Sequence, residues 1–182
     1  MTLWHLKNLS DNGRFVEDFD SRVTGLLTQL AAELTARGWR MATAESCTGG
    51  WIAKCCTDLA GSSAWFDRGH IVYSYSAKED LLGIAHEDLV SSGAVSEEIA
   101  CQMAEGARER SRCAVTVAAT GIAGPGGGME GKPVGLVHFG WCIGEKPASC
   151  DHVVFTGDRN EVRQKTVLHA LEGILLRLDA IN

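Results

Sequence analysis

No run of apolar residues in the 182-residue chain approaches the ~20 consecutive positions that a membrane-spanning helix needs, so no membrane partner is expected. The opening residues, MTLWHLKNLSDNGRF, hold neither an apolar signal core nor a small-residue cleavage site, and no export is expected either. Positive charge is in deficit. Seventeen Lys and Arg against 23 Asp and Glu leave a net charge of −6 and a pI near 5.5. Dedicated nucleic-acid binders draw their affinity from neutralising phosphates, so no nucleic-acid partner is expected, although a local basic pocket is still allowed. The seven cysteines include no C-x-x-C pair, which removes the usual zinc and thiol-redox patterns. Without an export signal they read as reduced thiols of a cytoplasmic protein. The histidines, at positions 5, 70, 86, 138, 152 and 169, form no H-E-x-x-H or related ligand spacing, so no metal is expected; no cofactor is expected either. What remains is ordinary globular material: 45% hydrophobic and 22% charged residues, sufficient for the core of one domain.

The first twenty residues fit neither helical nor strand periodicity. They mix Trp4, Leu6, Phe15 and Phe19 with polar residues and read as an extension that packs on the domain or on a partner subunit, with Trp4, Leu6 and Phe15 as its interface residues, leaving 21–182 as a single domain. From Val23 the pattern is regular. Val23, Leu26, Leu27, Leu30, Ala31 and Leu34 line one helical face, and Gly38 supplies the stop. The pattern then predicts a strand over 40–44, a helix over 51–59, an aromatic and β-branched strand over 66–75, and a short helix over 87–92. A further helix is capped by Ser96, with Glu97 and Glu98 at its positive end. Residues 113–119, CAVTVAA, are almost wholly apolar, the mark of a strand buried on both faces. Strands are expected again over 133–143 and 153–155. The last helix opens on the capping pair Asp158 and Glu161 and buries Val167, Ala170, Leu171, Ile174, Leu175 and Leu178. Alternating strands and helices predict an α/β fold, with helices on both sides of a mixed, largely parallel sheet.

Two polar, glycine-bearing turns follow buried strands. In Thr43-Ala44-Glu45-Ser46-Cys47-Thr48-Gly49-Gly50, a helix opening at the glycines would aim free N–H groups at an anion. Ser46 sits there either as a nucleophile or, with Thr48, as a helix cap. Cys47 is a rival nucleophile, since a thiol at a helix N-terminus has a lowered pKa. In Thr120-Gly121-Ile122-Ala123-Gly124-Pro125-Gly126-Gly127-Gly128, five glycines in nine residues form either a backbone cradle for a phosphate or ribose, or a flexible surface loop. This segment does not match the phosphate-loop pattern G-x-x-x-x-G-K-[ST]. Lys78 is either solvated or a base desolvated enough to lose its proton. Arg159, at the mouth of the last helix, either meets an anion or lies on the surface.

Taken together and in order, T-A-E-S-C-T-G-G at Thr43, A-G-S-S-A-W-F-D-R-G at Ala60, Y-S-x-x-A-K ending at Lys78, G-A-V-S at Gly93, T-G-I-A-G-P-G-G-G at Thr120, K-P-V-G at Lys132 and G-D-R at Gly157 resemble the CinA C-terminal domain family. The resemblance spans about residues 21–182. It implies a three-layer α/β/α sandwich and a metal-free Ser–Lys amidohydrolase that converts nicotinamide mononucleotide to nicotinate mononucleotide and ammonia. By motif, Ser46 would be the nucleophile, Lys78 the general base, and Tyr73 a hydrogen-bonding aid to that dyad. Glu45, Thr48, Gly49, Thr120, Gly121 and Arg159 would contact substrate. Tyr75 and Ser76 stand where the family frequently has Asn-Glu, a departure that bears on substrate preference. The resemblance also implies a homodimer or other homo-oligomer. A non-catalytic nucleotide-binding or regulatory module with the same pocket is the alternative reading.

Overall fold

The computed structural model describes residues 18–181; Trp4, His5, Leu6 and Phe15 lie outside the described residues. Among the described residues, six α-helices and five strands follow in the order α1 (Phe19–Arg37), β1 (Met41–Glu45), α2 (Trp51–Asp58), β2 (Phe66–Ile71), α3 (Tyr75–Leu82), α4 (His86–Ser92), α5 (Glu97–Ser111), β3 (Val115–Gly121), β4 (Leu136–Ile143), β5 (Ser149–Val154) and α6 (Arg159–Asp179). The sheet order is β2-β1-β3-β4-β5. The first three of these strands are mutually parallel, while β4 runs antiparallel to both β3 and β5. Four strands therefore point one way and one the other, the mixed sheet expected from the alternation.

The apolar stripes predicted for the long helices decide the layers. Val23, Leu27, Leu30 and Leu34 of α1 join Ile52 and Cys56 of α2 and Val167, Leu171 and Ile174 of α6 in one core on one face of the sheet. Leu82 of α3, Leu89 of α4, and Ile99 and Met103 of α5 fill a second core on the other. The result is a three-layer α/β/α sandwich. Trp141 of β4 anchors the first layer: its indole donates to the Ala170 carbonyl at 3.0 Å, and the Arg177 guanidinium lies 3.7 Å from its ring centroid.

Several boundaries differ from the sequence pattern, each for a local reason. Helix α1 begins at Phe19, inside the expected extension, because Asp18 accepts from Ser21 N and caps it. Phe19 then packs edge-on against Trp51, with centroids 5.3 Å apart. The strand predicted over 66–75 stops at Ile71. Ser74 accepts from Ala77 N at 3.1 Å and starts α3, so Tyr75 and Lys78 lie on a helix despite the strand-like Tyr-Ser-Tyr composition. Strand β5 begins at Ser149, four residues earlier than its apolar end suggested, because an edge strand tolerates polar residues facing water.

The cysteines also require a correction. Five are free and buried, but Cys101 of α5 and Cys150 of β5 are joined in a disulfide with Cα atoms 5.9 Å apart. Their separation of 49 residues matches no short spacing pattern; only the packing of α5 across β5 brings them together. Among the described residues, no helix is long and apolar enough to cross a membrane.

Candidate active site

The chain passes from β1 to its neighbour β2 through α2 on one face. It then returns across β1 to β3 through α3, α4 and α5 on the other face. Connections thus diverge to opposite faces around β1, and in open α/β sheets the crevice beyond the carboxyl ends of such strands is where ligands bind. The motif residues converge there. Ser46 follows β1, Lys78 follows β2, and Thr120 and Gly121 end β3. In the parallel register Glu45 is level with both Ile71 and Ala119.

Ser46 is held at the strand end by its own N–H, which donates to the Ala119 carbonyl at 3.0 Å. Its side chain is 9% exposed, and Lys78 Nζ lies 3.4 Å from Ser46 Oγ. Lys78 is fully buried. It projects from the first turns of α3 on the same face as Leu82 and donates to the Val72 carbonyl at 2.6 Å. Among the described residues no carboxylate pairs with it. Burial penalises the ammonium and pushes its pKa down to about 8. A serine hydroxyl and a lysine amine thus face each other in a dry site, the arrangement in which an amine can take a hydroxyl proton.

The neighbouring thiol does the opposite of what its place on the turn suggested. Burial, aided by the Glu45 carboxylate, pushes the Cys47 pKa up to about 12, so the thiol stays protonated and is not a competing nucleophile.

Glu45 caps the helix that follows it. Its buried carboxylate accepts from Gly50 N at 3.0 Å, Ile52 N at 3.0 Å, Ala53 N at 2.8 Å and Thr43 Oγ1 at 3.0 Å. It supplies from the preceding strand the cap that Gly50, without a side chain, cannot give α2. The carboxylate thereby takes up the helix N–H groups expected to meet an anion. Replacing Glu45 with Ala would leave these donors unsatisfied, and stability is expected to fall by about 3 kcal/mol or more. Urea denaturation measures the loss.

With those donors taken, the turn itself keeps two. Gly49 N donates to the Ser46 carbonyl and Trp51 N to the Thr48 carbonyl. Among the described residues no oxygen engages the backbone N–H of Cys47 or Thr48; both lie against the Cys47 sulfur. The Thr48 hydroxyl is also buried without a partner. Gly49 and Gly50 have φ of 62° and 93°, left-handed values that glycine adopts without strain.

The remaining expected contacts divide. Thr120 donates from Oγ1 to the Ala94 carbonyl at 2.7 Å, and Ala94 N in turn donates to the Tyr75 hydroxyl at 3.3 Å. This bridge ties the loop before α5 to the end of β3, and it gives the unusual Tyr75 a structural position. At Gly121 a Cβ would lie 2.6 Å from the Leu136 carbonyl, so close strand approach accounts for that glycine. Arg159 is exposed and donates to the Gly124 carbonyl of the glycine loop at 2.8 Å. Tyr73 is 67% exposed. The expected hydrogen bond from it to the dyad is not formed: among the described residues, its hydroxyl reaches neither Ser46 nor Lys78.

One residue absent from the sequence reading is central. Arg163, one helical turn beyond Arg159, donates to the carbonyls of Cys47 at 3.1 Å and Thr48 at 2.7 Å. No local spacing signals a contact across 115 residues. A cavity of about 290 Å³ between α1 and α2, lined by Phe19, Val23, Leu27, Trp51 and Leu59 among others, contains none of the motif residues. Among the described residues, no three His, Cys, Asp or Glu side chains converge to hold a metal ion.

Comparison with known proteins agrees with the motifs. The chain is 46% identical over 153 residues to "Nicotinamide-nucleotide amidohydrolase PncC" of Escherichia coli (strain K12), covering 84% of this chain and 93% of that protein. It is 42% identical to the protein of the same name from Pseudomonas putida, covering 84% and 95%. The crystal structure of the competence/damage inducible protein CihA from Agrobacterium tumefaciens superposes with a TM-score of 0.84 at 44% identity, over 90% of this chain and 99% of that one. Residues 23–178 match the CinA C-terminal domain, and the chain belongs to that family.

Proposed function

We propose that this protein hydrolyses the carboxamide of nicotinamide mononucleotide, releasing ammonia and nicotinate mononucleotide, with Ser46 as nucleophile and Lys78 as general base. The observation that carries this reading is the 3.4 Å approach of a buried lysine amine to a serine hydroxyl just beyond the carboxyl ends of β1 and β2, beside two backbone N–H groups that no oxygen engages. Such catalytic contacts often tighten only when substrate is bound. The amidohydrolase names of relatives at 42–46% identity support the substrate.

In the forward step Ser46 Oγ attacks the carboxamide carbon while Lys78 Nζ takes the hydroxyl proton. The carbonyl oxygen becomes an oxyanion, and the N–H groups of Cys47 and Thr48 stabilise it. Collapse expels ammonia, which takes its proton back from Lys78. Water, deprotonated by the same amine, then attacks the acyl carbon; the bond to Ser46 Oγ breaks, nicotinate mononucleotide leaves, and Lys78 returns the proton to Oγ. The substrate phosphate needs a counter-charge, and Arg159 retains donors beyond its single bond to Gly124. Tyr73, one residue beyond the carbonyl that holds Lys78, would touch bound substrate from its exposed position. The exposed side chains Ile71 and Tyr73 at the end of the edge strand would give a second copy an apolar contact.

Purified protein incubated with nicotinamide mononucleotide is expected to release ammonia and nicotinate mononucleotide in equal amounts. Binding without turnover, read by calorimetry beside the ammonia assay, would instead make this pocket a nucleotide-binding module.

A further inference from the structure

We infer that Arg163 is a positioning residue that sets the direction of the Thr48 N–H, one of the two donors aimed at the oxyanion, by clamping two consecutive carbonyls of the nucleophile turn. This inference rests on the amide-hydrolysis reading of the Ser46 site and adds a role for a residue of the distant helix α6.

Peptide planarity carries the argument. In a trans peptide the N–H and the preceding C=O point in opposite directions. The Cys47 carbonyl receives Arg163 Nε at 3.1 Å, so the N–H of the same peptide unit, that of Thr48, is driven away from the guanidinium. The next carbonyl, Thr48 O, receives Nη2 at 2.7 Å, and its companion N–H, that of Gly49, is turned back onto Ser46 O at 3.1 Å. That internal bond in turn fixes the peptide unit carrying the Cys47 N–H. The turn's own bonds, Gly49 N to Ser46 O and Trp51 N to Thr48 O, leave the Cys47–Thr48 peptide unit unheld, and without the Arg163 contact to Cys47 O that unit can rotate.

Arg163 suits this task. The fork of Nε and Nη2 is rigid and matches two acceptors side by side, a geometry that a lysine ammonium lacks. The guanidinium is itself held, 5.0 Å from the centroid of the Trp51 ring. Trp51 opens the helix that the turn feeds, so α6, the turn and α2 lock together at one point. Arg163 approaches the backbone carbonyls and has no hydrogen bond to the Ser46 or Lys78 side chains, so its hydrogen bonds reach the site through the peptide units, and Arg163→Lys, which keeps the charge, separates that route from its charge.

The test compares wild type with Arg163→Met and Arg163→Lys. A misdirected donor weakens transition-state binding, so kcat on nicotinamide mononucleotide is expected to fall about 10²-fold in the Met variant with KM unchanged. The Lys variant, which can satisfy one carbonyl, should fall between. A second readout is independent of the amide substrate. A fluorophosphonate reacts with an activated serine when Ser46 Oγ attacks phosphorus, fluoride leaves and Lys78 takes the hydroxyl proton. The phosphoryl oxygen then occupies the place of the oxyanion. Labelling of Ser46, located by peptide mass, is expected to slow in the same order. Thermal unfolding checks that each variant is folded, and if the Met variant is not, the Lys variant carries the comparison. Slowed labelling in a protein that never hydrolyses the nucleotide would remove the substrate assignment and keep the role of Arg163. Wild-type labelling rates in folded variants, or a loss confined to KM, would overturn that role.

Discussion

Replacing Ser46 by Ala is expected to lower kcat for ammonia release by about 10⁴-fold or more, because a nucleophile and its base act as a unit and removing either forfeits most of what both supply. Folding should be nearly untouched. The hydroxyl is small, and its one side-chain partner, Lys78, keeps the Val72 carbonyl when Ser46 is removed. The backbone bond from Ser46 N to Ala119 O does not involve the side chain. Ammonia assays on wild type and variant, with unfolding curves for both, separate the chemical effect from the structural one. A folded Ser46→Ala protein with wild-type turnover would place the chemistry elsewhere.

Lys78→Met should cost a comparable factor. A double variant with Ser46→Ala should lose little more than either single change, since contacting partners are not additive. Lysine also has two signatures in pH that serine lacks. Only the neutral amine can accept the hydroxyl proton, so wild-type kcat/KM is expected to rise as pH increases through about 8, the value to which burial lowers this amine. The second signature is in stability. An exposed lysine in the unfolded chain titrates near ~10.4. Between about 8 and that value the unfolded state binds more protons than the folded one, and stability therefore rises with pH across this window. Below it the burial penalty on the ammonium is felt in full. The wild type should thus gain on Lys78→Met, which carries no titrating group there, as pH moves from neutrality toward 10. Urea unfolding of both proteins across this range measures the difference. A constant gap would mean that Lys78 is not desolvated in the folded protein.

The exclusion of Cys47 shows how little a local rule decides alone. A thiol beside a helix N-terminus suggests a reactive thiolate, but the Glu45 carboxylate has already taken the N–H groups of Gly50, Ile52 and Ala53. Cys47 is itself buried. Desolvation outweighs the backbone N–H bonds and the Arg163 charge that favour the thiolate, and on this turn it is the Ser46 hydroxyl that meets the amine.

The spacing of apolar residues along the chain was enough to set the layers of the fold. The stripe from Val23 to Leu34, the apolar run ending in Ala118 and Ala119, and the face of α6 are near-neighbour patterns, and each appears where the spacing puts it. The capping pair Asp158 and Glu161 is equally local, both partners lying within one helical turn. The motif order also carried the family, with Ser46 and Lys78 as its candidate pair. How each side chain is used depended instead on packing between distant segments. Glu45 turned inward to cap α2, Tyr73 outward to solvent, Thr120 toward Ala94, and Cys101 toward Cys150, because each of these depends on what another segment brings to it. Arg163 is the clearest case. Its partners are carbonyls more than a hundred positions away, and backbone carbonyls carry no residue identity for a sequence pattern to read.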